Sequence, residues 1–263
     1  MKNASISIIT VTFNADRFLE KLIKSVIEQN GENAEFIIID GGSKDNTIDI
    51  IKQYEAHITY WVSEPDKGIY DAWNKGVKQS TGDWIMFLGA DDILKPDALK
   101  KYQNFIKNSA SENLHYISSR MEMIDADGKF VRVKGWQWEW PFFLKEMMVA
   151  HPGSLHSRLL FKEYGYYDIN YKISGDYELM LRPRDKLRAA FMNEITTQMS
   201  EGGASDSAKA IKEHYRAATI TGGGSKFPLK INALYVYTKF ILKNITKKLG
   251  LKLYLKKSKL LTP

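Results

Sequence analysis

Two adjacent carboxylates, Asp91 and Asp92, follow the apolar run 84–88 after Gly89-Ala90. Carboxylates presented at the end of a strand are hard oxygen ligands of the kind Mg2+ and Mn2+ take. A divalent ion held there can bridge a diphosphate and stabilise its charge as it departs. Alone, an Asp-Asp pair is more often a helix cap or a solvated turn. Asp40 ends a second apolar run, 36–39, and precedes Gly41-Gly42-Ser43; its carboxylate could accept a hydrogen bond from a ribose or a base, or simply close the turn. Asp176 follows Gly175 at the head of a short helical pattern, 177–182, where an Asp would also serve as an N-cap.

These residues need elements to hold them. The β-branched run 6–11 reads as a buried strand, and Phe18, Leu19, Leu22, Ile23, Val26 and Ile27 then repeat at helical spacing. Further strands are expected at 36–39, 58–62 and 84–88. Helices are expected over 45–54 and along the stripe Ile69, Trp73, Val77, and Pro96 is well placed to open the next one. Strands alternating with helices imply parallel pairing in an α/β sheet, whose ligands sit at the carboxyl ends of the strands. Thr12 to Asn14, Asp40, Asp66, Asp91 and Asp92 all lie at such ends. The second half is less regular: strands at 114–119 and 130–133 around an Asp125-Ala126-Asp127-Gly128 turn, alternating Trp136, Trp138 and Trp140, a helix over 142–149, and another over 209–219.

The chain has 263 residues, 44% hydrophobic and 26% charged, enough for one sizeable core. It contains no cysteine, which excludes disulfides and thiolate metal sites and makes the cell interior the expected compartment. No signal-peptide pattern and no run of about 18 apolar residues is present. The formal charge of +7 is uneven: residues 214–263 hold one Arg, ten Lys and no acidic residue, whereas the preceding 27 basic and 31 acidic residues sum to −4. No Gly-x-Gly-x-x-Gly or Gly-Lys-Ser/Thr loop occurs, so dinucleotide and P-loop readings lack their phosphate cradle.

Four segments in order carry a resemblance to family 2 glycosyltransferases: Ile6-Ser7-Ile8-Ile9-Thr10-Val11-Thr12-Phe13-Asn14; Glu35-Phe36-Ile37-Ile38-Ile39-Asp40-Gly41-Gly42-Ser43-Lys44-Asp45-Asn46-Thr47; Ser63-Glu64-Pro65-Asp66-Lys67-Gly68-Ile69-Tyr70-Asp71-Ala72-Trp73-Asn74-Lys75-Gly76; and Gly82-Asp83-Trp84-Ile85-Met86-Phe87-Leu88-Gly89-Ala90-Asp91-Asp92. Within that family the resemblance is to bacterial enzymes that build O-antigen, capsule and exopolysaccharide. It implies an α/β GT-A fold, a Rossmann-like nucleotide-binding mixed sheet flanked by helices, and an inverting reaction with a nucleotide-diphosphate sugar, UDP above all, and Mn2+ or Mg2+. Matched by position, Thr12, Phe13 and Asn14 lie against the base, Asp40 pairs with it, and Asp66 is a second acidic residue near the nucleotide. By the same resemblance Asp91 matches a ribose or metal contact, and Asp92 the principal metal ligand. Where many relatives have Arg, this chain has Trp73, so the diphosphate would rest on the metal or on Lys67 or Lys75. Ser174-Gly175-Asp176-Tyr177-Glu178 resembles the segment that supplies the catalytic base, making Asp176 that base, with Glu178 in reserve. His151-Pro152-Gly153-Ser154 resembles a loop at the donor–acceptor junction, so His151 is a candidate contact for diphosphate, metal or acceptor. Trp138 is a candidate for stacking on a sugar. Glu201-Gly202-Gly203-Ala204-Ser205 resembles a late Gly-Gly-x-Ser segment, a mobile loop or a plain linker.

The expected organisation is a catalytic domain over 1–213, with a donor half to about residue 100 and an acceptor half beyond it, and a basic helical extension over 214–263. In that extension Leu234, Tyr237, Phe240, Ile241, Ile245, Leu249, Leu253 and Leu255 fall mostly on one helical face among lysines, a pattern suited to an anionic membrane surface; packing on the body is the plainer alternative. A lipid-linked saccharide acceptor on polyprenyl diphosphate, a peripheral position on the inner face of the membrane and no nucleic-acid partner follow from this reading. A nucleotidyltransferase of similar fold and an inactive sugar-nucleotide-binding relative are the competing readings.

Overall fold

The apolar runs of the first hundred residues become parallel strands in the computed structural model, which describes residues 4–29, 33–109, 113–203 and 205–248. Strands β1 (Ile6–Thr12), β2 (Ala34–Asp40), β3 (Tyr60–Ser63) and β4 (Trp84–Gly89) are joined by helices α1 (Leu19–Ile27), α2 (Thr47–Gln53) and α3 (Ile69–Gln79). β1 pairs in parallel with both β2 and β4, and β2 with β3. Side chains alternate across this layer, as strand geometry requires. Ile9, Ile37, Ile39, Ile85 and Phe87 enter the core under α3, whereas Ile6, Ile8, Phe36, Ile38, Met86 and Leu88 enter the core under α1.

The later chain extends the sheet rather than starting another. After β4 come β5 (Ile93–Leu94), α4 (Ala98–Asn108), β6 (Tyr116–Ile124), β7 (Phe130–Lys134), α5 (Trp140–Phe143), β8 (Leu155–Ser157), α6 (Arg158–Tyr164), α7 (Gly175–Leu181), β9 (Ala189–Ser200), α8 (Ala208–Ile220) and α9 (Lys226–Lys248). Among the described residues the order is β3-β2-β1-β4-β8-β6-β9-β5, with β7 paired to β6. β8 runs antiparallel between β4 and β6, and β9 runs parallel to β6. The result is the expected α/β fold with a mixed sheet.

The second half corrects several expectations. The run 142–149 is helical only in α5; the chain then folds back, so that Trp136 N–H donates to the Met148 carbonyl at 3.1 Å and Met148 and Val149 are buried without helix. Trp136 and Trp138 belong to no strand, although both pack on the core with Trp140. α8 runs through the compositional break after Glu213 and buries Ala217 and Ala218. α9 is tied to the body by Asn232, which donates to the Lys145 carbonyl at 2.8 Å, by the Lys243–Asp206 ion pair at 2.6 Å, and by buried Leu229. Its other side exposes Phe227, Ile231, Leu234, Ile241 and Ile245, which repeat at helical spacing. Ala204, Leu249, Leu253 and Leu255 lie outside the described residues. No helix among the described residues is long and apolar enough to cross a membrane.

α3 lies on β1 at a glycine. A Cβ on Gly76 would fall 2.4 Å from Ile9 Cγ2. Gly76→Ala should therefore destabilise the protein by about 1–3 kcal/mol, the usual effect of overpacking, read as a lower urea midpoint at unchanged m-value.

Candidate active site

The strand register lines the expected residues along one edge. Thr12 lies opposite Asp40, Asp40 opposite Ser63, and Val11 opposite Gly89. With strands about 4.8 Å apart, the exits of β3, β2, β1 and β4 form a shelf.

At the β1–β2 part of the shelf Asp40 is fully buried and its carboxylate receives five donors. Thr12 Oγ1 (2.9 Å) and Ser43 Oγ bond Oδ1; Gly42 N–H (2.9 Å), Ser43 N–H (2.9 Å) and Ser63 Oγ (2.7 Å) bond Oδ2. Burial raises its pKa, but the hydrogen bonds from Ser43, Ser63 and Thr12 outweigh that and hold it below the ordinary value. A carboxylate has about four lone-pair sites, so a base reaching Asp40 would have to displace one of its present partners. Asn14, at φ 49°, spans the same loop, accepting from Lys44 N–H at 2.9 Å while its own N–H donates to Ser43 Oγ at 2.8 Å. The Phe13 ring is 65% exposed. Its Cδ2 lies 3.4 Å, and Asp66 Oδ2 3.3 Å, from where a Cβ on Gly41 would stand. Bare backbone, a flat ring and a carboxylate thus converge.

Asp66 is held by Lys75, whose Nζ is 2.5 Å from Asp66 Oδ1, 2.7 Å from Glu64 Oε1 and 3.2 Å from the Pro65 carbonyl. Burial first, and then Asp71 and Glu64, raise the Asp66 pKa against the pull of Lys75. Lys75 is thus committed to this turn, whereas Lys67 is exposed.

At the end of β4 the two acids differ. Asp91 is exposed and Asp92 is 3% exposed. Asp92 Oδ2 accepts from Gly89 N–H at 2.7 Å, while Oδ1 is buried with no hydrogen-bond partner. Burial, then the charge of Asp91, push its pKa up to about 8. A Cβ on Gly89 would lie 3.1 Å from Asp91 Oδ1 and 3.2 Å from Asp92 Oδ2, so both carboxylates crowd one glycine. A buried carboxylate oxygen without a partner, beside a second carboxylate, fits a divalent cation. Two protein carboxylates supplemented by substrate phosphate and water oxygens are the usual Mg2+ arrangement. β5 follows at once and pairs with β9, Leu94 opposite Thr197, which pins this turn to the second half of the chain.

Asp176 lies in the first turn of α7, half-buried. Burial raises its pKa; the Tyr177 N–H and the Tyr70 hydroxyl oppose that rise without cancelling it. The Tyr70 hydroxyl, from α3, is 3.0 Å from Asp176 Oδ1 and 2.6 Å from the Ile173 carbonyl oxygen. A Cβ on Gly175 would meet three Tyr70 ring carbons at 2.8–2.9 Å. From α8, Glu213 accepts the N–H groups of Lys172, Ile173 and Ser174 at 2.8–3.1 Å and so holds the loop entering α7. Tyr70 and Glu213 were not singled out from sequence; the only signal was that Tyr70 stands in the third family segment. Glu178 is buried and bound by Arg182, 2.6 Å from Nη2, and by Thr221 Oγ1 at 3.0 Å, a structural ion pair.

His151 stacks on Trp73 at 4.8 Å and 9°, and burial pushes its pKa down to about 3, leaving a neutral ring. Its Nε2 is 3.5 Å from the Tyr167 hydroxyl. Trp73 is enclosed by Tyr70, Phe87 and Tyr167. Trp138 is half-buried against Trp140 and Phe143.

Residues 7–156 match the family described as Glycosyl transferase family 2. A "PGL/p-HBAD biosynthesis glycosyltransferase" of Mycobacterium bovis is 28% identical over 217 residues, 79% of this chain and 81% of that protein. Staphylococcus aureus TarS (residues 1–349) in complex with UDP superposes with a TM-score of 0.67 at 16% identity over 95% of this chain and 76% of TarS; a further TarS structure holds UDP-GlcNAc. A Pyrobaculum calidifontis mannosyltransferase in complex with GDP-Man and Mn2+ superposes at 0.59 and 15% identity over 91% of this chain and 70% of that one. The chain belongs to glycosyl transferase family 2 and is a glycosyltransferase.

Asp40→Asn should lower stability, because one oxygen of a five-donor acceptor becomes a donor. Since the folded pKa of Asp40 lies below its unfolded value, this stability is present above the ordinary value of 3.8 and lost as pH falls through the folded value. The wild-type minus variant difference in urea-unfolding free energy should stay level from pH 7 to pH 5 and shrink below pH 4.

Proposed function

We propose that this glycosyltransferase moves a sugar from a nucleotide-diphosphate donor, a UDP-sugar, to a hydroxyl of a saccharide acceptor with inversion at the anomeric carbon. The acceptor is carried on polyprenyl diphosphate, in the synthesis of bacterial surface polysaccharide such as O-antigen or capsule. The observation that carries the donor site is the buried, unpartnered Oδ1 of Asp92 beside Asp91, on the same shelf as Thr12, Phe13 and Asn14. The nucleotide assignment is supported by the UDP and UDP-GlcNAc held by TarS, and the metal by the Mn2+ of the mannosyltransferase.

In this reading Asp92 and Asp91 hold Mn2+ or Mg2+, which when bound neutralises the departing diphosphate. Phe13 and the bare backbone at Gly41 take the base, with Asp66 at its edge; Asp40 keeps Thr12, Ser43 and Ser63 in place beneath it. Lys67 is the cation open to the diphosphate. Asp176 takes the proton of the acceptor hydroxyl as its oxygen bonds the anomeric carbon and the bond to the diphosphate oxygen breaks, assistance worth roughly 10²–10⁴-fold. Neutral His151 and Trp73 contribute shape rather than charge.

α9 docks the enzyme on the inner face of an anionic membrane. Its outward stripe of Phe227, Ile231, Leu234, Ile241 and Ile245 runs between Lys226, Lys230 and Lys239, an apolar face with basic flanks. Each lysine adds about 1 kcal/mol at an anionic surface.

Two measurements test this. Mn2+ with a panel of UDP-, GDP- and dTDP-sugars should raise the melting temperature of the wild type with a UDP-sugar. Asp92→Asn should melt at or above the wild-type temperature when ligand-free, because an unpaired buried carboxylate is gone, yet lose the Mn2+-dependent rise; a rise that survived intact would remove Asp92 from the metal site. Leu234→Asp with Ile241→Asp should abolish flotation with phosphatidylglycerol vesicles while leaving the melting temperature unchanged, and wild-type flotation should weaken with salt.

A further inference from the structure

The Tyr70 hydroxyl has one proton and two acceptors, Ile173 O at 2.6 Å and Asp176 Oδ1 at 3.0 Å. The ring is 3% exposed and wedged against Gly175, with Trp73 and Tyr167 around it, so the oxygen cannot withdraw. Burial, then the charge of Asp176, raise the Tyr70 pKa well above its ordinary value, so Tyr70 remains a donor. A charge-assisted bond is roughly twice as strong as one to a neutral carbonyl; the proton therefore prefers Asp176 while that residue is ionised, and Ile173 once it is not.

We propose that Tyr70 is the positioning residue of Asp176: its hydroxyl donates to the ionised carboxylate and turns to the Ile173 carbonyl when the carboxylate accepts the acceptor's proton. This rests on the reading of Asp176 as base. The arrangement orients the base without obstructing its protonation, because the second acceptor is already within reach and no heavy atom moves. The other groups facing Asp176 stay uncharged near neutral pH: His214 of α8 is pushed down to about 4 by burial, and the buried hydroxyls of Tyr116 and Tyr167 are held protonated.

The test is Tyr70→Phe in the full chain, with Asp176 followed by 13Cγ NMR of aspartate-labelled protein, the resonance being assigned by its loss in Asp176→Asn. Loss of the hydroxyl should raise the Asp176 midpoint by about one pH unit. The acid limb of turnover, measured as nucleoside diphosphate release from the donor panel with Mn2+, should move up with it. At saturating donor kcat should fall roughly ten-fold at unchanged KM. An unmoved midpoint, or a moved midpoint with an unmoved acid limb, would overturn the assignment. Near-normal turnover by Asp176→Asn beside a shifted midpoint would instead sink the base reading. Should Tyr70→Phe not fold, the wild type still decides: the 13Cζ resonance of Tyr70 in tyrosine-labelled protein should shift with the Asp176 midpoint as the hydroxyl turns from the carboxylate to the Ile173 carbonyl, and a resonance that did not follow that midpoint would overturn the assignment.

Discussion

The architecture depends on how α3 is held between the two halves of the protein. Gly76 lets the helix settle directly onto Ile9 of β1, and this close approach sets where its other side chains point. From α3 Tyr70 reaches the start of α7, Trp73 stacks on His151, and Asn74 exchanges two hydrogen bonds with the Tyr167 backbone, donating to its carbonyl at 2.9 Å and accepting from its N–H at 3.0 Å. One helix therefore sets the distance between the strand exits and Asp176. On the far side, β5 and β9 repeat the connection with backbone ladders.

The three aspartates of the site are treated differently by the same fold. Asp40 has all the donors it can use and is held ionised. Asp92 has one donor for two buried oxygens and is pushed towards neutrality, a cost that the proposed cation would offset. Asp176 lies between these, partly desolvated but steadied by Tyr70, the condition a general base requires. Residue type alone does not separate these roles; the supply of donors around each carboxylate does.

That distinction explains what the sequence made legible. β1, β2 and β4 are nearly continuous apolar runs buried on both faces, whereas β3 is only partly buried, and the exits of these strands mark the shelf. The second half of the chain lacks such signals. β8 is only Leu155-His156-Ser157, too short for periodicity, and β9 shows no clear alternation over Ala189–Ser200. The run 142–149 carries helical spacing, yet the hydrogen bond from Trp136 to Met148 claims its second half. The partnership of Tyr70 with Asp176 spans 106 positions, beyond any local pattern. The committed state of Lys75 was equally hidden, since Glu64 and Asp66 lie ten residues or so upstream and meet it only through the turn into α3.

The donor supply around Asp40 also bears on how a gene of this kind would drift if selection for activity ceased. Replacing Asp40 strands donors from three strand exits and costs folding free energy, so purifying selection for a foldable, protease-resistant chain would retain it long after catalysis had ended. Asp92 stands on the other side of that divide: without a cation its burial is a burden, and its loss would be neutral or stabilising, as expected where function is maintained against stability. In a silent copy Asp92 would be among the first residues to go, and Asp40 among the last. On the proposed metal role, Asp92 rather than the better-bonded Asp40 is thus the position whose presence would report that transfer is still under selection.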